Sequence, residues 1–95
     1  MKTIIDKEVK KEYCERLSKN IPVLRAKLGI SQTELAQRVG VARSSLALYE
    51  VGKKDLPWSA FVAMLMLFRS NDETKAVFDS LEIYDEKLDN YLMFK

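Results

Sequence analysis

The sequence predicts an all-α fold: a compact helical bundle, with one further helix before it and a helical tail after it. Three observations carry this. Apolar residues recur every three to four positions in each long segment. The three glycines and two prolines fall where helices would begin or end. No run of any length alternates at strand spacing. With 95 residues, 47% of them hydrophobic, the chain can bury one core and fold as a single unit.

The elements follow in order. Asp6 can cap a helix to about Ser18, whose stripe is Ile5, Val9, Tyr13 and Leu17. Asn20 then precedes Ile21-Pro22, a cap and a first-turn proline. They predict a helix ending at Gly29, either separate or continuous with the first through a bend at Pro22. Ser31, with Glu34 three residues on, forms a capping box for a helix to about Val39. Gly40–Val41 is a corner, where a residue without Cβ adopts a left-handed φ most cheaply. A further helix runs from about Arg43 to Glu50, closed by Gly52. Asp55-Leu56-Pro57 leads into Trp58–Phe68, which is apolar on most sides. Ser70 or Asn71 caps a helix near Asp72–Leu81, and a last apolar run spans Tyr84 to Phe94.

Within Gln32–Val51, apolar residues fall only where two crossing helices must touch. Leu35, Val39, Val41, Leu46 and Tyr49 face inward, and Ala36 allows close approach. Gln32, Arg38, Arg43, Ser44, Ser45 and Lys53 are left outside. That is the layout of a helix-turn-helix, whose second helix enters the DNA major groove.

Charge and composition narrow the function. Residues 1–69 hold thirteen Lys/Arg and seven Asp/Glu, a charge of +6. Residues 70–95 hold three Lys and seven Asp/Glu, a charge of −4. A basic body suits phosphate contact, and an acidic tail belongs away from DNA. With no histidine and one cysteine, neither a zinc site nor a disulfide framework is expected. No cofactor, small-molecule ligand or catalytic group is expected either: there is no nucleophile with a base and no Gly-rich phosphate loop. The N-terminus does not read as a signal peptide, and the nine-residue run Ala60–Phe68 is too short to span a bilayer. A cytoplasmic protein with no membrane partner is expected.

The stretch from about Asn20 to Phe68 resembles the phage-repressor (Cro-like, XRE-type) helix-turn-helix regulators. The likeness is carried by SQTELAQRVGV (Ser31–Val41), SSLALYEVGKK (Ser44–Lys54) and the apolar helix after Pro57. It implies a sequence-specific regulator of transcription, a repressor that binds double-stranded DNA as a homodimer. Ala42, Arg43, Ser44 and Leu48 are then the base-reading positions, and Gln32, Ser45, Lys53 and Lys54 the phosphate contacts. Arg43 is the strongest reader, because a guanidinium pairs with O6 and N7 of guanine. Gln32 touches the backbone and steadies Arg43. Leu48 and Ala47 either meet thymine methyls or mark weak readout. Val51, where relatives often carry Asn, and Asp55 both lower affinity. Tyr49 and Glu50 are read as structural, with Glu50 paired to Arg38 or a backbone amide.

The domain reading is an N-terminal helix at 1–19, a DNA-binding helix-turn-helix domain at 20–69, and an acidic helical tail at 70–95 that makes the dimer. The rival for the tail is a fold back onto its own chain. The rival for the whole is a protein-interaction module, or an antitoxin-like partner, that keeps the fold with weak DNA binding.

Overall fold

A computed structural model describes residues 3–95. The described residues form six helices: α1 Lys7–Leu28, α2 Gln32–Val39, α3 Arg43–Glu50, α4 Trp58–Ser70, α5 Asp72–Ser80 and α6 Glu86–Leu92. There is no strand among the described residues. The all-α expectation is borne out. The Cα radius of gyration is 13.0 Å, the ~13 Å of a close-packed chain this size. No described helix is long and apolar enough to cross a membrane.

Asp6 starts α1 by accepting from the Val9 N–H, and Gly29 ends it with a left-handed φ of 67°. The helix does not stop at Asn20. Its side-chain amide donates back to the Arg16 carbonyl at 2.7 Å instead of capping a new helix. Leu17, Ile21 and Leu24 carry one fully buried stripe straight through Pro22. The loss of the Pro22 N–H removes one rung and is tolerated because that stripe is held on both sides. The division after residue 19 therefore falls inside one helix.

α2 and α3 form the crossing pair. Ser31 accepts from the Glu34 N–H, and the Glu34 carboxylate accepts from the Ser31 N–H, so the capping box is complete. At the corner, the N–H groups of Gly40 and Val41 both donate to the Ala36 carbonyl. Gly40 takes φ 78° there. Leu35, Ala36, Leu46 and Tyr49 are buried, and Val39 and Val41 pack against them half-exposed. α3 closes with the Lys53 N–H donating to Leu48 and the Gly52 N–H to Tyr49, the paired Schellman bonds.

α4 lies at the centre, touching α1, α2 and α5. Phe61, Met64 and Phe68 are fully buried, whereas Met66 points to solvent. Trp58 stacks on Phe61 with centroids 4.8 Å apart and meets Tyr91 edge-on. It anchors the core from its edge.

The tail folds onto its own chain. Phe78, Ile83 and Leu88 are fully buried, and Thr74 donates its hydroxyl to the Phe68 carbonyl at 2.6 Å. These apolar residues of the tail thus find their cover within one chain. Polar contacts from the body fix how the tail lies. Arg16 donates to the Glu82 carbonyl, Arg69 pairs with Asp79 at 3.2 Å, and the Arg69 guanidinium lies over Tyr84. Tyr13 donates to Asp85 at 2.7 Å, and the same carboxylate caps α6 through the Leu88 N–H. The acidic tail is docked by the basic body. Leu92, Met93 and Phe94 stay exposed at its end.

Candidate nucleic-acid interface

The orientation of α3 is set from beneath. Leu46 and Tyr49 sink into the core, so Arg43, Ser44 and Leu48 point away from it. Arg43 and Ser44 are exposed, and neither has a hydrogen-bond or ionic partner among the described residues. Ala42 stands at the N-cap with no side chain to cap the helix. The first N–H groups of α3 therefore have no side-chain acceptor and face solvent. Leu48 is 40% exposed on the same face.

The other end of α3 is held by charge. Glu50 receives Arg25 from α1 in a bidentate pair, Nε at 2.9 Å and Nη2 at 3.1 Å. The Glu50 side chain is only 6% exposed. Gln32, in the first turn of α2, donates its amide to the same carboxylate at 3.1 Å. Arg25 also donates to the Ile30 carbonyl. One carboxylate therefore joins α1, α2 and α3 and fixes how α3 projects.

Two expectations are corrected here. Glu50 pairs with Arg25, not Arg38, which stays exposed without a partner among the described residues. Gln32 steadies Glu50 and not Arg43. Those two residues sit at opposite ends of α3, about 10 Å apart along its axis at 1.5 Å per residue. The second donor hydrogen of the Gln32 amide has no partner among the described residues.

Ser45 is half-buried and accepts from the Lys54 ammonium at 3.3 Å. Lys54 also sits 5.9 Å above the Tyr49 ring, so it folds back along α3. Lys53 is exposed with its side chain free of partners among the described residues. Val51 is 66% exposed beside it. The structure thus places Arg43, Ser44 and Leu48 on the outer side of α3, with Ala42 exposed at its N-cap. Ser45 and Lys54 sit together along it, and Gln32 is tied to its far end. The Arg25–Glu50 pair was missed in the sequence because the two lie 25 residues apart, and Arg38 was as good a partner by charge.

Among the described residues, no group of His, Cys, Asp and Glu could hold a metal ion. Cys14 is a free, buried thiol, and burial pushes it up to about 11.

Comparison with known proteins gives a family and a relative. Residues 21–78 match the model of a family described as a helix-turn-helix domain. The match runs from the second half of α1 through α4 to Phe78 in α5. A protein of Archaeoglobus fulgidus, named as an uncharacterized HTH-type transcriptional regulator, is 31% identical over 67 residues. The aligned part covers 70% of this chain and 94% of that protein. No solved structure matches.

Proposed function

The chain belongs to the helix-turn-helix domain family, and we propose that it is a sequence-specific DNA-binding regulator of transcription that represses by occupying its operator. The observation that supports this most is the outer face of α3. Arg43 and Ser44 stand exposed at its start with no side-chain partner among the described residues, on a helix whose other end is clamped by Arg25 and Gln32 through Glu50. In this reading α3 lies in the major groove, where Arg43 pairs with a guanine and Ala42, Ser44 and Leu48 meet neighbouring base edges. Gln32, Ser45, Lys53 and Lys54 contact phosphates and position the helix.

The protein acts as a homodimer in this proposal, because two-fold symmetry places two copies of α3 one turn of the duplex apart, about 34 Å. The exposed end of the tail, Leu92 to Phe94, is the surface proposed for pairing. Residues 20–69 would then bind DNA while 70–95 both complete the core and pair the copies. Sedimentation that finds only monomer at tens of micromolar, with duplex present, overturns the dimer.

A second reading has one observation behind it. Leu48 and Val51 are exposed apolar residues on or just after α3, and they suit a protein partner better than a phosphate backbone. Selection of bound duplexes from a random pool separates the two. Arg43→Ala is expected to relax preference at one base pair per half-site, a loss of ~1–3 kcal/mol there. Lys53→Ala is expected to weaken all sequences alike and lower the salt slope by about one unit. Absence of any bound duplex at low salt refutes the DNA reading. Uniform losses in both variants refute the division into reader and anchor.

A further inference from the structure

Beside the C-terminal end of α3 lies a groove of about 760 Å³, between the first half of α1 and the segment joining α3 to α4. Its size falls within the ~300–1,000 Å³ of sites that enclose small organic ligands. The walls are Tyr49, Leu56 and Trp58, with Cys14 and Ser18 along the α1 side. Tyr49 and Leu56 are themselves buried, so the groove is an opening into the edge of the core and not a surface wrinkle.

The rim is basic. Lys7, Lys10, Lys11 and Lys19 come from α1, and Lys54 faces them from the other bank. None of the five is within ion-pairing distance of a carboxylate among the described residues, where the ion pairs are Arg25–Glu50 and Arg69–Asp79. Glu50 also borders the groove, but its carboxylate is already taken by Arg25 and Gln32. Glu8, Glu15 and Asp55 leave ammonium groups in excess. Two lysines hang over the aromatic walls. The Lys10 ammonium is 5.2 Å from the centre of the Trp58 ring, and Lys54 is 5.9 Å from that of Tyr49. An apolar body lying between the rings would place its charged end against one of them.

We propose that this groove binds an amphipathic organic anion, a carboxylate carrying an apolar chain or ring, and that the bound anion weakens DNA binding. The first half follows from an apolar wall under an unpaired basic rim: burial drives the body in, and the lysines select the sign of the head. The second half rests on the DNA reading given above. Lys54 borders the groove and also reaches Ser45 on α3, and both are proposed phosphate contacts. A carboxylate that recruits Lys54 removes it from the DNA face. Val51 and Gly52, which close α3, line the same groove, so an occupant touches the end of that helix.

Trp58 is the sole tryptophan, and it reports on the groove directly. The experiment titrates dodecanoate, below its micelle concentration, into the full chain and follows Trp58 emission. A saturable change is expected, with none from dodecylamine, which has the same body and the opposite head. Lys10→Glu and Lys54→Glu should each weaken dodecanoate roughly tenfold, the worth of one charge-assisted contact. Unchanged circular dichroism shows that these surface variants remain folded, and Lys54→Gln repeats the test without a reversed charge. No saturable change, an equal response to dodecylamine, or undiminished binding in both lysine variants overturns the site. In a second arm, dodecanoate is expected to lower affinity for a selected duplex in the native chain and to have less effect in Lys54→Gln. Binding with unaltered duplex affinity overturns the coupling alone. Failure to bind any duplex counts against the DNA reading, while the emission arm still decides the groove.

Discussion

Arg25→Met should be among the most destabilising single changes outside the apolar core. The substitution keeps much of the arginine's length and removes its charge. Glu50 then stays under the α1–α3 contact with its side chain 6% exposed and only Gln32 as donor. Breaking a fully buried pair costs about 3–5 kcal/mol, because the remaining charge is uncompensated. Arg25 is 19% exposed, so its removal lets water reach the carboxylate, and Gln32 remains. That brings the expected loss to about 2–3 kcal/mol, below the range for a fully buried pair and in the upper part of that for hydrogen bonds to a charged group. For a chain of this length it lowers Tm by roughly 10–20 °C. Glu50→Gln should cost less, about 1–2 kcal/mol, since the more exposed guanidinium can turn to solvent. The Arg25→Met/Glu50→Met double variant should be more stable than Arg25→Met alone, because it leaves no buried charge. Urea unfolding of the native chain, Arg25→Met, Glu50→Met and the double variant closes a double-mutant cycle, with Glu50→Gln measured beside it. A coupling below about 0.5 kcal/mol, or a Glu50→Gln loss equal to that of Arg25→Met, refutes the argument.

Three other outcomes follow from single residues. Gly40→Ala should cost about 1–2 kcal/mol purely through its left-handed backbone, since an added Cβ would meet nothing within 4 Å; a neutral thermal shift would show that the corner can move. Tyr13→Phe removes the hydroxyl that donates to Asp85, and it should cost about 1 kcal/mol and speed amide exchange in α6, while an unchanged α6 would show that Asp85 caps it unaided. Native Cys14 should hold its proton up to about 11, above the ordinary 9.0 of the free thiol, because it is buried. Between those values the unfolded chain has released the proton and the folded chain has not, so this thiol's contribution to stability falls as pH rises through that window. Cys14→Ala should blunt the alkaline fall in the urea midpoint, and an identical fall in both proteins would reject the assignment.

The elements that read correctly from sequence are those fixed within a few residues. The Ser31–Glu34 box and the left-handed Gly40 and Gly52 depend on local geometry alone, and each stands where the pattern put it. The register of α3 followed because Leu46 and Tyr49 sit three apart on one buried face. At Asn20–Pro22 the local signal was ambiguous. A cap residue before a proline reads as a helix start, but the back-bond to Arg16 and the burial of Ile21 and Leu24 made it an interior. The tail was harder still. Its apolar content showed that something must cover it, not what. The burial of Ile83 lies outside any helix, beside Glu82 at φ 57°, and no periodic pattern marks such a residue.

The site divides along the same line, and the division bears on function. Sequence gives every cation one formal charge, and only the fold assigns them to different work. Arg16, Arg25 and Arg69 are spent internally, on the Glu82 carbonyl, Glu50 and Asp79. Arg38, Arg43 and Lys53 are left exposed, with no side-chain partner among the described residues. The internal three dock the tail and set the angle of α3. The exposed three lie on or beside the two crossing helices, where the proposed duplex would pass. Removing an internal cation should therefore change stability first and duplex affinity only through it. Removing an exposed one should change affinity at constant stability. A charge count over residues 1–69 cannot make that distinction, because it needs partners that are 10, 25 and 66 residues away.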